Sequence, residues 1–165
     1  MRQMTRTFKS PLVDIAHLLV PVLWLGLLIG VSFIATPAKF VATSLTLPVA
    51  VDVGRVTFGF FNEVEWGMFA LLVIAIVLSG PSPFASGATV VVGICLTVQT
   101  IWLLPVMNGR VADIIAGGTP PQSAHHLLYI VADAAKVGAL AAITWVKSLK
   151  LLPLMTTRNG ATDWS

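Results

Sequence analysis

Long apolar runs separated by short polar punctuation organise the 165 residues, at 13–35, 62–80, 84–107 and 124–146. A helix rises about 1.5 Å per residue, so the first, third and fourth runs each cover the roughly 30 Å hydrocarbon thickness of a bilayer. The second reaches that length once Phe60 and Phe61 are included. The pattern predicts an all-α polytopic membrane protein, four transmembrane helices in an up-down bundle forming a single integral membrane domain over 1–165.

Between the first two runs the period changes. Pro48 suits a first helical turn, and after it Val49, Val53, Val56 and Phe60 share one face while Asp52, Arg55, Gly59, Asn62 and Glu63 share the other. This spacing predicts an amphipathic outer helix between helices one and two, with Asp52 and Arg55 placed to pair. Val49, Val51 and Val53 also alternate as a strand would, but a lone strand at a membrane surface leaves its edges unpaired. Gly117-Gly118 and Pro120-Pro121 punctuate the connection between helices three and four. The polar tail beyond Pro153 is read as disordered.

Composition removes several function classes. Hydrophobic residues make up 56% and charged residues 10%, so little chain is left for a separate soluble catalytic domain. The single cysteine, Cys95, lies inside the third run, where it is read as a packing residue; it cannot form an intramolecular disulfide or a CxxC pair. Arg2, Arg6 and Lys9 precede an apolar stretch longer than the roughly 7–15 residues of a signal-peptide core, which predicts a retained first helix.

The net charge of +3 resides mainly near the termini, where it sets topology, so no nucleic-acid partner is expected. With both termini inside, six basic residues (Arg2, Arg6, Lys9, Lys147, Lys150, Arg158) lie inside and three (Lys39, Arg55, Arg110) outside. The imbalance predicts a multi-pass protein of the cell inner membrane with cytoplasmic termini, the lipid bilayer being its first partner.

Small residues predict where helices meet. Gly26 and Gly30 form a GxxxG pair on helix one, and Ala134, Gly138 and Ala142 form a stripe on helix four. They are expected to pack within the monomer, a homodimer seam being the alternative. Pro21 removes an amide donor in helix one and predicts a kink that frees the His17 carbonyl.

Ionisable residues in a span are costly and mark candidate sites. On helix four, His126, Tyr129, Asp133 and Lys136 fall within an arc of about 80°, a polar stripe descending from the outer surface. Asp133 and Lys136 can pair at i, i+3, as a structural lock or as a ligand or ion site. Glu63 and Glu65 are placed at the outer end of helix two, beside His125 and His126, as an entrance. Imidazole with carboxylate also makes His125 and His126 metal candidates, although adjacent helical residues point about 100° apart. His17, near Asp14 at the inner end, is a candidate haem ligand. Gln99 and Asn108 are expected to bond across helices, and Trp24, Trp66, Trp102 and Trp145 to sit near the interfaces or within the spans. No specific motif encodes a cofactor, and nothing matches a nucleophile triad, a phosphate loop or a paired-metal signature.

The run Trp24-Leu25-Gly26, with Ser32-Phe33, Ala35-Thr36-Pro37 and Phe40, resembles the first helix of a family of small four-helix membrane proteins. That family is known mainly as a domain of unknown function and has a eukaryotic relative linked to cisplatin resistance. Leu104-Pro105-Val106-Met107-Asn108 is similar to the proline-terminated third helix of its members, and His126 to the histidine opening their fourth. The doubled histidine, Asp133 and Lys136 depart from the family pattern, so the resemblance implies a fold and no role for that site.

Three functions are expected in order: a non-enzymatic protein that binds or moves a small ligand or ion; an accessory subunit of a larger membrane complex, respiratory or photosynthetic; and a haem- or copper-binding membrane oxidoreductase.

Overall fold

The structure, a computed structural model, describes residues 11–159, with side-chain surroundings for 12–151. Arg2, Arg6 and Lys9 lie outside the described residues. All regular elements among them are helical: α1 Pro11–Leu28, a π-helical segment Ile29–Ala35, α2 Thr36–Val41, α3 Leu47–Ser79, α4 Pro83–Val98, a second π-helical segment Gln99–Leu103, α5 Leu104–Ile115 and α6 His125–Asn159. They join into four helices long and apolar enough to cross a membrane: Leu12–Val41, Leu47–Ser79, Pro83–Ile115 and His125–Leu151.

The surroundings of these spans are apolar. Only 17–33% of each span's most apolar window is buried, while residues such as Leu23, Leu78, Ile94 and Ile101 are well exposed. Surfaces so continuously apolar are stable against lipid and not against water, and helices satisfy their own backbone groups there. The chain is a multi-pass membrane protein.

Local sequence explains the ends of the spans. Gly80 takes φ +85°, a conformation only glycine adopts cheaply, and stops α3. Ser82 then caps α4 by accepting a hydrogen bond from the Ala85 amide, with Pro83 in the first turn. Gly117, at φ +86°, ends α5 in the same way.

Adjacent spans pack side by side, and α6 closes the ring against α1. Spans two and four therefore face each other across the bundle. The start of α1, the end of α6 and the tight turn after Ser79 share one end, here the terminal end; α2 and the two longer connections share the distal end.

The outer amphipathic segment is helical and its Asp52–Arg55 pair forms, at 2.6–2.9 Å. It is continuous with span two, giving one helix of 33 residues. Span three likewise runs on to Ile115 through the second π segment. At each π segment the bond shifts to i→i−5: the Thr36 amide donates to Val31 O, and the Leu104 amide to Gln99 O. The helix of span four continues through Pro153 to Asn159, where the sequence predicted a disordered tail.

The small-residue stripes correct another expectation. Gly26, Ala134 and Gly138 are exposed, Gly30 and Ala142 are half-buried, and a Cβ added at Gly26, Gly30 or Gly138 would meet nothing within 4 Å. Helix four cannot turn both its polar and its small face inward, and enclosing the charged face avoids the larger cost.

Candidate functional site

The inward face of α6 carries Tyr129, Asp133, Lys136, Leu140 and Ile143, a 4-3-4-3 spacing that keeps every one of them buried. Asp133 and Lys136 occupy the middle of that seam, between apolar residues on either side. The inward face of α3 follows the same logic with Phe58, Phe61, Glu65, Leu72 and Ile76. Two side chains on opposing helices meet at this level. Lys136 Nζ lies 2.5 Å from Glu65 Oε1 and 3.0 Å from Asp133 Oδ1, and all three residues are at most 1% exposed.

The other two spans complete the layer. Trp24 of α1 donates its indole N–H to Glu65 Oε1 at 3.1 Å. Gln99, in the second π segment, donates to Asp133 Oδ1 at 2.8 Å and lies 3.4 Å from the Tyr129 carbonyl. Every span thus contributes to one polar layer crossing the bundle.

Apolar clusters lie on both sides of this layer. Toward the terminal end, Leu72, Ile76, Val92, Leu96, Leu140 and Ile143 pack with Trp24, Leu28 and Phe61. Toward the distal end, Phe58, Leu103, Leu104 and Tyr129 form a smaller cluster, with Phe58 and Tyr129 in edge contact at 5.2 Å.

Charge in the layer does not balance. Two carboxylates face one ammonium, so with all three ionised one negative charge is uncompensated in a medium where isolated charge is costly. The hydrogen bonds to the two carboxylates all fall on Glu65 Oε1 and Asp133 Oδ1. Glu65 Oε2, Asp133 Oδ2, Gln99 Oε1 and the Tyr129 hydroxyl are buried with no hydrogen-bond partner. Such an arrangement can accept a proton or another cation without rebuilding its framework.

A cavity of about 230 Å³ reaches the layer from the distal side. Ser32, Thr36, Pro37 and Phe40 of span one line it, with Phe58 behind and His126, Tyr129, Ile130 and Asp133 of span four opposite. Pro37, Phe40, Ile130 and His126 on its rim are exposed. α1 packs along α6, whereas the π segment that follows it touches α6 far less, so the crevice opens where span one leaves regular α-helix. Two neighbouring cavities, of about 100 and 200 Å³, also touch Phe40 and His126.

The sequence placed Asp133, Lys136, Tyr129 and His126 on one stripe. The structure buries the first three in the layer or its lining and leaves His126 exposed at the mouth. Glu65 departs from expectation: it is fully buried at Lys136 and not at an entrance, because α3 begins well before the apolar run and carries it inward. Glu63 is exposed; two positions apart on a helix is about 200°, so the two glutamates cannot share a site.

The metal candidates are not gathered. His125 sits at the distal end, 3.1 Å from Ser123 Oγ and in edge contact with the Trp102 ring. His17 lies at the terminal end, with Nδ1 2.6 Å from Ser79 Oγ, while Asp14 pairs with Lys147 at 2.6 Å. Among the described residues, no three His, Cys, Asp or Glu side chains come together as a metal site.

Sequence reasoning missed Trp24 as a member of the layer and Ser32, Phe40 and Phe58 as cavity walls. Gln99 was legible as a group that bonds across helices. For Trp24 the signal was its i, i+4 partner Leu28: both are fully buried on the inner face of α1. No family model matches this chain, nor does any curated protein or solved structure.

Proposed function

We propose that this protein binds a small ligand or ion at the central polar layer, without catalysing a reaction. Asp133, Lys136 and Glu65 form the site, Tyr129 lines its approach, and His126 stands at the mouth. One observation carries this reading: a buried layer with one carboxylate in excess adjoins a cavity at Asp133. A purely structural ion pair needs neither the second carboxylate nor the cavity. The basic-residue imbalance supports cytoplasmic termini in the inner membrane, which turns the cavity away from the cytoplasm.

The test uses the purified protein in nanodiscs, with thermal stability followed across pH, alkali cations and small organic ions. Asp133→Asn is expected to abolish whatever response the wild type shows. Identical responses in both proteins to every condition would sink the reading.

A second reading, an accessory subunit or homodimer, is favoured by the outward small-residue surface at Gly26, Ala134 and Gly138, since helices in lipid associate through such surfaces. Mild-detergent purification that yields a fixed stoichiometric partner would support it, and a monodisperse monomer would oppose it.

A further inference from the structure

We infer that the ligand is an amphiphilic organic monocation, its primary ammonium head seated at Asp133 and its apolar body in the crevice between spans one and four. This rests on the ligand-binding reading above and gives that ligand a chemistry.

Three features of the crevice select the class. The first is charge. Asp133 is 1% exposed, its Oδ1 is taken by Lys136 and Gln99, and its buried Oδ2 has no partner. One added positive charge there neutralises the excess carboxylate of the layer, whereas an anion would deepen the imbalance. The second is donor count. Tyr129 and Ser32, whose hydroxyl oxygens are also buried and unpartnered, line the same cavity as Asp133. An ammonium carries three N–H donors and can satisfy buried acceptor oxygens of this kind, which an apolar ligand cannot. The third is the wall. Phe40, Phe58 and Tyr129 present aromatic surface, and of the four exposed rim residues three, Pro37, Phe40 and Ile130, are apolar, His126 being the fourth. Aromatic faces attract ammonium groups, and an apolar rim admits a molecule already dissolved among acyl chains. A cavity of about 230 Å³ also exceeds what a proton or a bare alkali ion would use.

The structure contains a competitor. Lys39 Nζ lies 5.1 Å from the Phe40 ring and 5.7 Å from the Phe58 ring, so the same two rings already attract one cation. Lys39 lines the adjoining cavity together with Arg55 and His126, and Arg55 is paired with Asp52. The Lys39 ammonium opposes a cation approaching from the aqueous side. A ligand reaching Asp133 through the lipid-facing mouth avoids Arg55, and removing the Lys39 charge strengthens its binding.

Three phenylalkyl probes of similar length separate charge from shape: 2-phenylethylammonium, its isostere propylbenzene, and the anion 3-phenylpropanoate, bound to the full chain in phosphatidylcholine nanodiscs with empty discs subtracted. The ammonium is expected to bind at least about tenfold more tightly than the other two, the scale of one charge-assisted hydrogen bond. Asp133→Asn should remove that preference, and Lys39→Met should tighten the ammonium severalfold. Ile130→Trp narrows the mouth while leaving every charge in place, and should weaken the ammonium even if Asp133→Asn fails to fold.

Equal affinity for all three probes, or ammonium binding untouched by Ile130→Trp, overturns the inference. If no organic probe binds while Asp133→Asn still removes a response to pH or alkali cations, the organic cation falls and the ligand-or-ion reading stands. If that response is missing too, both fall.

Discussion

The terminal and distal halves of the bundle are built from the same four spans but fill their interiors differently. In the terminal half, branched aliphatic side chains from three spans interlock around Leu72, Leu96 and Leu140; the cavity near His17 and Lys147 is only about 20 Å³, and a larger space of about 350 Å³ beside Phe69, Val90 and Ile94 touches no residue of the polar layer. In the distal half, two spans pass through π-helical segments, the rings of Phe58 and Tyr129 share a small core with Leu103 and Leu104, and cavities of about 100, 200 and 230 Å³ meet at Phe40 and His126. Aliphatic side chains on regular helices mesh at close-packed density, whereas a π turn displaces one wall and rigid rings cannot flow into the gap. The polar layer lies at the boundary. It is reached from one side and sealed on the other.

The largest expected contrast breaks or upholds this comparison directly. In a Cys95→Ala background, Ser32→Cys should react with a maleimide and Leu72→Cys should stay unlabelled; equal labelling would erase the distinction between the halves. Next comes Lys136→Met, which leaves two buried carboxylates without their cation and should cost about 3–5 kcal/mol in unfolding free energy. Adding Asp133→Asn should recover part of that loss, and a double variant as unstable as the sum of the singles would show the pair to be uncoupled. Gln99→Leu removes one cross-helix hydrogen bond at the boundary and should cost about 1 kcal/mol, read as a lowered midpoint in the same unfolding assay. The smallest change is expected from Glu63→Gln: exposed and outside the layer, it should shift stability by less than about 0.5 kcal/mol. A larger shift would place Glu63 in contact with the site.

Much of the architecture was legible because lipid imposes simple rules. Uninterrupted apolar length revealed the four spans, and the i, i+3 placement of Asp133 and Lys136 revealed their pair. Glu65 was not legible, for a specific reason. An apolar run marks where hydropathy rises and not where a helix starts; α3 starts at Leu47, which places Glu65 about 27 Å along it. Trp24 was read as a ring near the interfaces or within the spans, a placement that does not reveal the buried carboxylate its N–H satisfies. The small-residue stripes misled because GxxxG spacing shows that a close approach is permitted, without saying to whom. The π segments left no mark in the apolar pattern, since both periods keep a span hydrophobic. The crevice that they open was therefore invisible until the backbone was placed.

The length of span two has a consequence for where this protein works. A helix of 33 residues extends about 50 Å, well beyond a hydrocarbon layer of roughly 30 Å. The surplus must tilt or stand clear of the acyl chains, so local bilayer thickness sets the level of the crevice mouth. In a thin membrane the rim at Ile130 and Phe40 rises among headgroups and water, while in a thick one it sinks into oil. The same site would then sample different pools of solute, and membrane composition would act on its occupancy as a rheostat.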